Sequence, residues 1–260
     1  MITWSAGENM DIILGYGEVG KAIGKVLTNA KVDFRFADIE VGNAEIGPAY
    51  YCMHVCIPYT KYFVDDVTAY IKTFKPELVI IHSTVALGTT NRIKMRLPQV
   101  SISHSPVRGV HPNLFTGLLT FEKVVGSPNY ENAKQVASYL KSLGIETTIY
   151  EDSNTTEAAK LLSTTYYGWN IIFNKEVKKF CDEKGVDYSQ AYEDFNTSYN
   201  AGYEELDMKW VTRPVLRYQE GPIGGHCVIP NLELLKEDFD IAKVALEFDE
   251  KYRPKRKTGE

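Results

Sequence analysis

The stretch MDIILGYGEVGKAIGKVL, residues 10–27, predicts a strand, a glycine turn and a helix in succession. An apolar run comes first, and apolar residues recur at helical spacing after the turn. In a Gly-x-Gly-x-x-Gly turn the first glycine permits a tight bend, the second admits a pyrophosphate, and the third lets the helix pack on the strand. The N–H groups that open the helix would face the anion. We therefore predict a dinucleotide site whose turn is Gly15, Tyr16, Gly17, Glu18, Val19 and Gly20.

An aspartate lies at the position where dinucleotide sites of this kind bind the ribose. Residues 33–39 alternate like a second strand and leave Asp38 at its carboxyl end, 18 residues past Gly20. Its oxygens can accept hydrogen bonds from both hydroxyls of an adenosine ribose. A 2′-phosphate would meet a like charge there, with only Arg35 nearby, so the pattern favours NAD over NADP. The alternative is a glycine-rich turn that binds nothing.

Strand and helix patterns alternate along the next hundred residues. Strand candidates are 50–57, 78–82, 100–104, 123–125 and 147–150, and helix-like stretches are 61–74, 89–97 and 130–143. This predicts an α/β fold with a mostly parallel, doubly wound sheet covered on both faces. Ligands in such sheets lie beyond the carboxyl ends of the strands, so we expect the nicotinamide beside Ile57, Pro58, Ser83 and Thr84. Helix capping is the alternative for Ser83 and Thr84.

The pattern changes after Asp152. Residues 153–157 offer helix-capping side chains, and a long helical pattern follows until Gly185, with nothing strand-like behind it. We predict an NAD-binding Rossmann domain over 10–152, a smaller all-helical domain over 153–250, and a basic tail over 251–260. The tail carries five positive charges and one negative.

Composition excludes several classes of protein. The 260 residues are 44% hydrophobic and 24% charged, which is typical of a globular chain, and the net charge of −5 argues against a nucleic-acid grip. The longest apolar run falls short of the roughly 20 residues needed to span a bilayer. Four cysteines and no signal-like start predict a cytoplasmic protein. The five histidines show no metal-ligand spacing, so no metal site is predicted.

One loop offers residues for covalent chemistry. Paired glycines, Gly224 and Gly225, would let a substrate approach closely, and His226 and Cys227 follow them. A cysteine beside a cation is partly thiolate and can attack an aldehyde. Lys160, early in the long helical pattern, could supply that cation or stabilise an alkoxide. A buried small hydrophobe for Cys227 and a solvated helix face for Lys160 remain open alternatives.

Five segments together resemble the UDP-glucose/UDP-N-acetylmannosamine 6-dehydrogenase family. They are the glycine turn at 15–20, Ser-Thr-Val at 83–85 with Gly-Thr-Thr at 88–90, His-Ser-Pro-Val-Arg at 104–108, Glu-Ala-Ala-Lys-Leu at 157–161 and Gly-Gly-His-Cys at 224–227. They occur in the family's order and cover the chain from about residue 10 to 235.

The resemblance implies a function. In that family NAD oxidises the C6 alcohol of a nucleotide sugar twice, and the central helix commonly builds a dimer. By resemblance, Cys227 is the nucleophile, Lys160 the cation near the reacting oxygen, and Thr84 lies near the nicotinamide and the catalytic water. The expected substrate contacts are Arg108, Thr164, Gly224, Gly225 and His226. The expected partners are a sugar or nucleotide sugar and a second copy of the chain, with no membrane.

Departures from the family pattern keep two alternatives open. Val107 stands in place of a glutamate, Thr164 in place of an asparagine, and Asn231 in place of an aspartate, and Asn231 cannot act as a base. The chain also stops soon after the Gly-Gly-His-Cys loop, so a short form without the family's second nucleotide-binding domain is expected. One alternative is a non-catalytic NAD-binding or regulatory protein. The other is a small hydroxy-acid or imine reductase, which would need Lys160 but not Cys227.

Overall fold

The chain is described by a computed structural model over residues 10–38, 49–109 and 112–254. Strands in this part are β1 Met10–Leu14, β2 Phe34–Ala37, β3 Tyr50–Val55, β4 Leu78–Ile81, β5 Ser101–His104, β6 Lys123–Val125 and β7 Thr147–Ile149. Helices are α1 Glu18–Asn29, α2 Phe63–Phe74, α3 Thr89–Arg96, α4 Leu114–Thr120, α5 Tyr130–Ser142, α6 Ser153–Lys184, α7 Phe195–Glu205, α8 Val228–Leu235 and α9 Asp240–Lys251.

The first five strands form one parallel sheet in the order β2-β1-β3-β4-β5. β6 and β7 pair in parallel as a smaller sheet, and an antiparallel bridge between His104 and Gly126 connects it to the end of β5. The predicted α/β class is therefore confirmed. Because the chain leaves β1 for β2 on one side and resumes with β3 on the other, the strand order reverses at β1. In sheets of this kind ligands bind at such a point, which here lies beside the carboxyl ends of β1 and β3.

Alternating side chains of β1 supply the cores on both faces of the large sheet. Ile13 packs with Ile23 and Leu27 of α1 in one buried cluster. Ile12 and Leu14 belong to a second cluster on the opposite face. This two-sided burial explains why Ile12, Ile13 and Leu14 are apolar in succession rather than in alternation with polar residues.

The glycine-turn strand and helix occupy the predicted positions, whereas β2 is shorter than its pattern. It covers Phe34–Ala37 within the predicted 33–39, Asp38 makes an isolated bridge, and Ile39 lies outside the described residues. The helix α4 was not predicted. It is short and contains Gly117, which weakens the helical signal in its sequence.

The chain divides into two compact units between Lys160 and Leu161, inside α6. The predicted domain limit near residue 152 falls at the start of the same helix and stays a prediction. In its described part the second unit is helical, and a π-helical stretch, Ser189–Asp194, precedes α7. Its core includes Leu161, Ile172 and Leu232. Of the predicted basic tail, residues 255–260 lie outside the described part.

None of the described helices combines the length and the apolar character that a bilayer crossing requires. The four cysteines, which all lie in the described part, form no disulfide.

Candidate functional site

The three glycines of the turn after β1 differ in what surrounds them. Gly15 has φ +88°, in the left-handed region, and a Cβ there would lie 2.9 Å from Ile57 Cγ2. A Cβ on Gly20 would lie 2.0 Å from the carbonyl oxygen of Gly15, so α1 packs directly on the turn. A Cβ on Gly17, the exposed residue that precedes α1, would meet nothing within 4 Å. Two glycines therefore shape the turn, and the third leaves the amino terminus of α1 open to an anion.

Asp38 lies against this turn from the end of β2. Its Oδ2 accepts a hydrogen bond of 2.6 Å from the backbone N–H of Tyr16. The Tyr16 ring stacks on Phe36, with the centroids 4.1 Å apart and the planes 11° from parallel. The Asp38 carboxylate is thus half-buried and anchored at the edge of the glycine turn. Glu18 and Val19 follow in the first turn of α1, exposed and half-buried respectively.

The ends of β3 and β4 are joined by Ser83. Its hydroxyl donates to the carbonyl oxygen of Ile57 at 2.6 Å and lies 3.3 Å from that of Val55. Thr84, the next residue, is half-buried, Ile57 is half-buried and Pro58 is exposed. The structure thus places Ile57, Ser83 and Thr84 at the carboxyl edge of the large sheet, as predicted from their positions after strands.

The amino terminus of α3 is capped by a distant carboxylate. Glu157, in the first turns of α6, is fully buried. Its Oε2 accepts from the backbone N–H of Gly88 at 2.6 Å, and its Oε1 accepts from the N–H and the hydroxyl of Thr90 at 2.9 and 2.7 Å. Burial raises the pKa of this carboxyl, and the Thr90 and Gly88 bonds oppose that rise. The helix terminus is therefore fixed to α6 by a charged group placed favourably for the helix dipole.

His104, at the end of β5, is fully buried between the same elements. Its Nε2 lies 3.2 Å from the Ser83 carbonyl oxygen and its Nδ1 lies 2.9 Å from Thr156 Oγ1. Burial lowers its pKa to about 3. The neutral ring donates Nε2–H to the carbonyl and accepts the hydroxyl proton at Nδ1. His104 thus belongs to the packing beneath the site. His111, the other histidine of this sequence region, lies outside the described residues.

Two lysines hold the backbone of residues 105–107. Lys160 donates to the carbonyl oxygen of Val107 at 2.9 Å. Lys123, on β6 and only 3% exposed, donates to the carbonyl oxygens of Ser105 and, at 3.0 Å, Pro106. Burial lowers the pKa of Lys123 to about 7, and the charges of Lys160 and Arg108 act in the same direction. The sequence does not predict a site role for Lys123, because one charged residue in a short strand pattern does not indicate burial or function.

The remaining residues of that segment face different ways. Val107 is buried in the apolar cluster on one face of the sheet. Arg108 is exposed, and its guanidinium donates to the Glu122 carbonyl oxygen and lies over the Phe121 ring, 5.9 Å from the centroid. The valine that replaces the family's glutamate is therefore a packing residue.

A buried polar chain crosses the sheet beneath these residues. His54 Nε2 lies 3.0 Å from Asp11 Oδ2, and His54 Nδ1 lies 2.9 Å from His82 Nε2. His82 in turn lies 3.2 Å from the Ser105 carbonyl oxygen, through Nδ1. Burial lowers the pKa of His82 well below its usual value, so the neutral ring donates Nδ1–H to the carbonyl. The polar residues within otherwise apolar strand patterns were the feature of the sequence that could have predicted this row of hydrogen-bonded side chains.

Asp11, Cys52 and His54 also bring a possible set of metal ligands within 4.8 Å of one another. The Asp11 carboxylate, however, already accepts hydrogen bonds from the Cys52 N–H, at 3.1 Å, and from the Tyr139 hydroxyl, and it contacts His54. Burial raises the pKa of the Cys52 thiol well above its usual value. The cluster is satisfied as a hydrogen-bonded group in the core.

The Gly-Gly-His-Cys segment lies in the second unit, directly before α8. Gly224, Gly225, His226 and Cys227 are all exposed, and Gly225 has φ +79°. On either side of them, Ile223 and Val228 are buried. Asn231, one turn into α8, is 5% exposed, and Thr164 on α6 is half-buried. The thiol therefore stands in an exposed segment between two buried anchors.

The fold and the turn geometry define a Rossmann-like α/β architecture followed by a helical unit. Comparison with known proteins identifies relatives by sequence. The chain is 29% identical over 190 residues to UDP-N-acetyl-D-mannosamine dehydrogenase of Methanococcus maripaludis, which covers 72% of this chain and 40% of that protein. The chain thus spans about 40% of the length of this curated relative. No family model matches the chain.

Solved structures agree on the fold. The UDP-D-ManNAc dehydrogenase of Pyrococcus horikoshii superposes with a TM-score of 0.79 at 18% identity, over 94% of this chain and 68% of that one. The 3-hydroxyisobutyrate dehydrogenase of Mycobacterium tuberculosis superposes with a TM-score of 0.69 at 14% identity, over 94% of this chain and 93% of that one. The resemblance to nucleotide-sugar dehydrogenases that the motifs indicated is confirmed.

Proposed function

We propose that this protein is an NAD-dependent dehydrogenase that oxidises an alcohol carbon of a sugar or nucleotide sugar. The observation that carries the proposal is the glycine turn. The open space at Gly17 and the exposed start of α1 fit a pyrophosphate. The anchored Asp38 carboxylate fits a ribose. The relatives named as dehydrogenases of UDP-N-acetyl-D-mannosamine support the substrate class.

The residues of the turn would hold NAD. Gly15, Tyr16, Gly17, Glu18, Val19 and Gly20 would contact the pyrophosphate through the backbone, and Asp38 would accept hydrogen bonds from the ribose hydroxyls. Ile57, Pro58, Ser83 and Thr84 would line the nicotinamide side. When bound, NAD supplies a hydride acceptor for the alcohol carbon.

Lys160 and Cys227 would carry the rest of the chemistry. The Lys160 ammonium, held by the Val107 carbonyl oxygen, would stabilise negative charge on the reacting oxygen. The sulfur of Cys227 would add to the resulting aldehyde carbon: the S–C bond forms, the C=O π bond breaks, and the proton of the thiol goes to the former carbonyl oxygen, which gives a thiohemiacetal. Loss of a hydride from that carbon to a second NAD, with loss of the hydroxyl proton, would convert the thiohemiacetal to a thioester. Arg108, Thr164, Gly224, Gly225 and His226 would contact the substrate. Release of an acid needs attack of water on a thioester, a step for which Asn231 offers no base.

The test is a screen of UDP-sugars and of 3-hydroxy acids for NADH formation, with and without Cys227→Ser. We expect NADH with a UDP-sugar, and any acid that the unmodified protein forms should be lost in the variant while NAD binding persists. Thermal shift with millimolar NAD or NADH provides the binding measurement, because a ligand that binds only the folded state raises its melting temperature. Absence of stabilisation by either nucleotide would contradict the proposal.

A non-catalytic NAD-binding protein is the second candidate, and the burial of Val107 favours it. The family places a glutamate at this position, whereas here an apolar side chain fills the core. NAD-induced stabilisation without turnover of any substrate in the screen would select this candidate. Turnover of a 3-hydroxy acid that survives Cys227→Ser would instead indicate the small hydroxy-acid reductase.

We also propose that the chain forms a homodimer through α6. Leu162, Tyr166, Phe173 and Phe180 lie at spacings of four, seven and seven along this helix, on one stripe, and each is 45–59% exposed. An exposed apolar stripe of this length is typical of a helix that pairs with another surface. Light scattering should give twice the 29.4 kDa chain mass, and Phe173→Asp should give the monomer.

A further inference from the structure

The segment before Cys227 has an irregular backbone, yet it is held from the inside. Residues 212–227 contain no helix or strand. Asn174 of α6 donates through Nδ2 to the Leu216 carbonyl oxygen at 2.7 Å and to the Tyr188 hydroxyl at 2.6 Å. Two charged residues, Lys175 and Asp249, hold the stretch that follows.

Lys175 is the first of these charged anchors. It follows Asn174 on α6 and is 1% exposed. Its ammonium donates to the carbonyl oxygens of Gln219, at 2.5 Å, and Gly221, at 2.6 Å. The ammonium also lies over the rings of Tyr218 and Tyr252, whose centroids are 5.5 and 5.4 Å from Nζ. A buried ammonium needs such compensation, and here the irregular backbone supplies most of it.

Asp249, on α9, is the second. It is 1% exposed, and its Oδ1 accepts a hydrogen bond of 2.5 Å from the backbone N–H of Ile223. Burial lowers the pKa of Lys175, and the charge of Asp249 opposes part of that drop. The Asp249 carboxylate therefore binds the segment directly, and its charge also stabilises the ammonium of Lys175, which binds the same segment.

These anchors stop where the exposed residues begin. Ile223 is the last residue that Lys175 or Asp249 holds, and the buried Val228 starts α8. Gly224 and Gly225, between them, have nothing within 4 Å of the position of a Cβ. The four residues that end in Cys227 thus lie between two buried residues, Ile223 and Val228, and the position of the first is set by the Asp249 hydrogen bond.

We propose that Lys175 and Asp249 are positioning residues that fix the entry to the Cys227 segment. Lys175 restrains residues 219–221 and Asp249 restrains residue 223, so that the thiol is presented from a short span rather than from a long irregular loop. The effect on turnover rests on the proposed role of Cys227. The restraint itself does not, because it is measurable in the absence of any substrate.

Hydrogen exchange of the full chain, followed by mass spectrometry, tests the restraint. In the unmodified protein the Ile223 amide should exchange about 100-fold more slowly than those of Gly224 and Gly225. Lys175→Met should speed exchange over residues 217–223 about tenfold. The matched control is Lys179→Met, one turn further along α6, whose side chain is 57% exposed. Equal exchange in these two variants would overturn the proposal.

A second pair of variants covers the case in which Lys175→Met does not fold. Asp249→Asn keeps an oxygen acceptor for the Ile223 N–H, whereas Asp249→Ala removes it. We expect protection of Ile223 in the first and its loss in the second, and equal protection in both would overturn the proposal. If the protein is active, Lys175→Met should lower kcat about tenfold with the affinity for NAD unchanged. Changed exchange in a protein without turnover would count against the proposed function alone.

Discussion

The backbone N–H of Tyr16 donates a hydrogen bond of 2.6 Å to Oδ2 of Asp38, which joins the glycine turn to the end of β2. The same carboxylate is the group expected to accept the ribose hydroxyls of NAD. We therefore expect Asp38 to serve both the fold and the binding of NAD, and a useful variant must separate the two.

Asp38→Asn makes this separation, because an amide oxygen can still accept from Tyr16 while the charge is lost. We expect the affinity for NAD to fall about tenfold, since a charge-assisted bond is replaced by a neutral one. The affinity for NADP should rise relative to that for NAD, because the like charge near the 2′-phosphate is gone. Titration calorimetry with both nucleotides measures the ratio. An unchanged ratio would remove Asp38 from the ribose site.

The glycines of the turn give a prediction with an internal control. Gly17→Ala places its methyl group in open space, so the melting temperature should stay within about 2 °C while NAD binding weakens about tenfold or more. Gly20→Ala places its methyl group against the Gly15 carbonyl oxygen, and we expect about 3 kcal/mol of destabilisation and a melting temperature lower by about 10 °C. Thermal melts with and without NAD distinguish the two. Equal loss of stability in both would mean that Gly17 is a packing residue.

Much of the fold was predictable because its signals are local. The spacing of Gly15, Gly17 and Gly20 and the apolar run before them fix the turn without reference to any distant residue. The residues at 153–157 likewise mark the start of α6, although the side chain that accepts from the Thr155 N–H, at 2.7 Å, is that of Asp152 just before them.

The parts that were missed depend on contacts far apart in sequence. Asp11 meets Tyr139, 128 residues away, and Glu157 meets Thr90, 67 residues away. Neither pair has a spacing that a periodic pattern could reveal. Lys123 is a further case, since a lysine in a short strand predicts an exposed residue, and only the carbonyl oxygens of Ser105 and Pro106 make its burial tolerable.

The buried Lys123 predicts a pH dependence of stability. Its ordinary pKa is 10.5, and the folded chain lowers it to about 7. Between these values the unfolded chain holds a proton that the folded chain has released, so the free energy of unfolding rises with pH, by about 1.4 kcal/mol per unit. Below about pH 7 both states are protonated and the contribution is constant.

Urea unfolding at pH 7, 8 and 9 measures this effect against Lys123→Met. Other titrating groups are common to both proteins, so the difference between their unfolding free energies should grow by about 2 kcal/mol from pH 7 to pH 9, since half of the folded lysine is still protonated at pH 7. Lys141→Met, an exposed lysine on α5's last turn, should run parallel to the unmodified protein. Parallel curves for Lys123→Met as well would show that Lys123 stays protonated in the fold.

The cap that Glu157 places on α3 predicts the effect of removing one acceptor. In Glu157→Gln the amide oxygen can still accept from Thr90, but the amide nitrogen then faces the Gly88 N–H, and two donors oppose each other in a buried site. We expect a loss of about 1–3 kcal/mol in unfolding free energy and faster amide exchange over residues 88–90. Glu151→Gln, an exposed residue just before α6, is the control and should leave both unchanged. If Glu157→Gln matches that control, the carboxylate does not hold α3, and the segment that carries Thr84 must be positioned by the sheet alone.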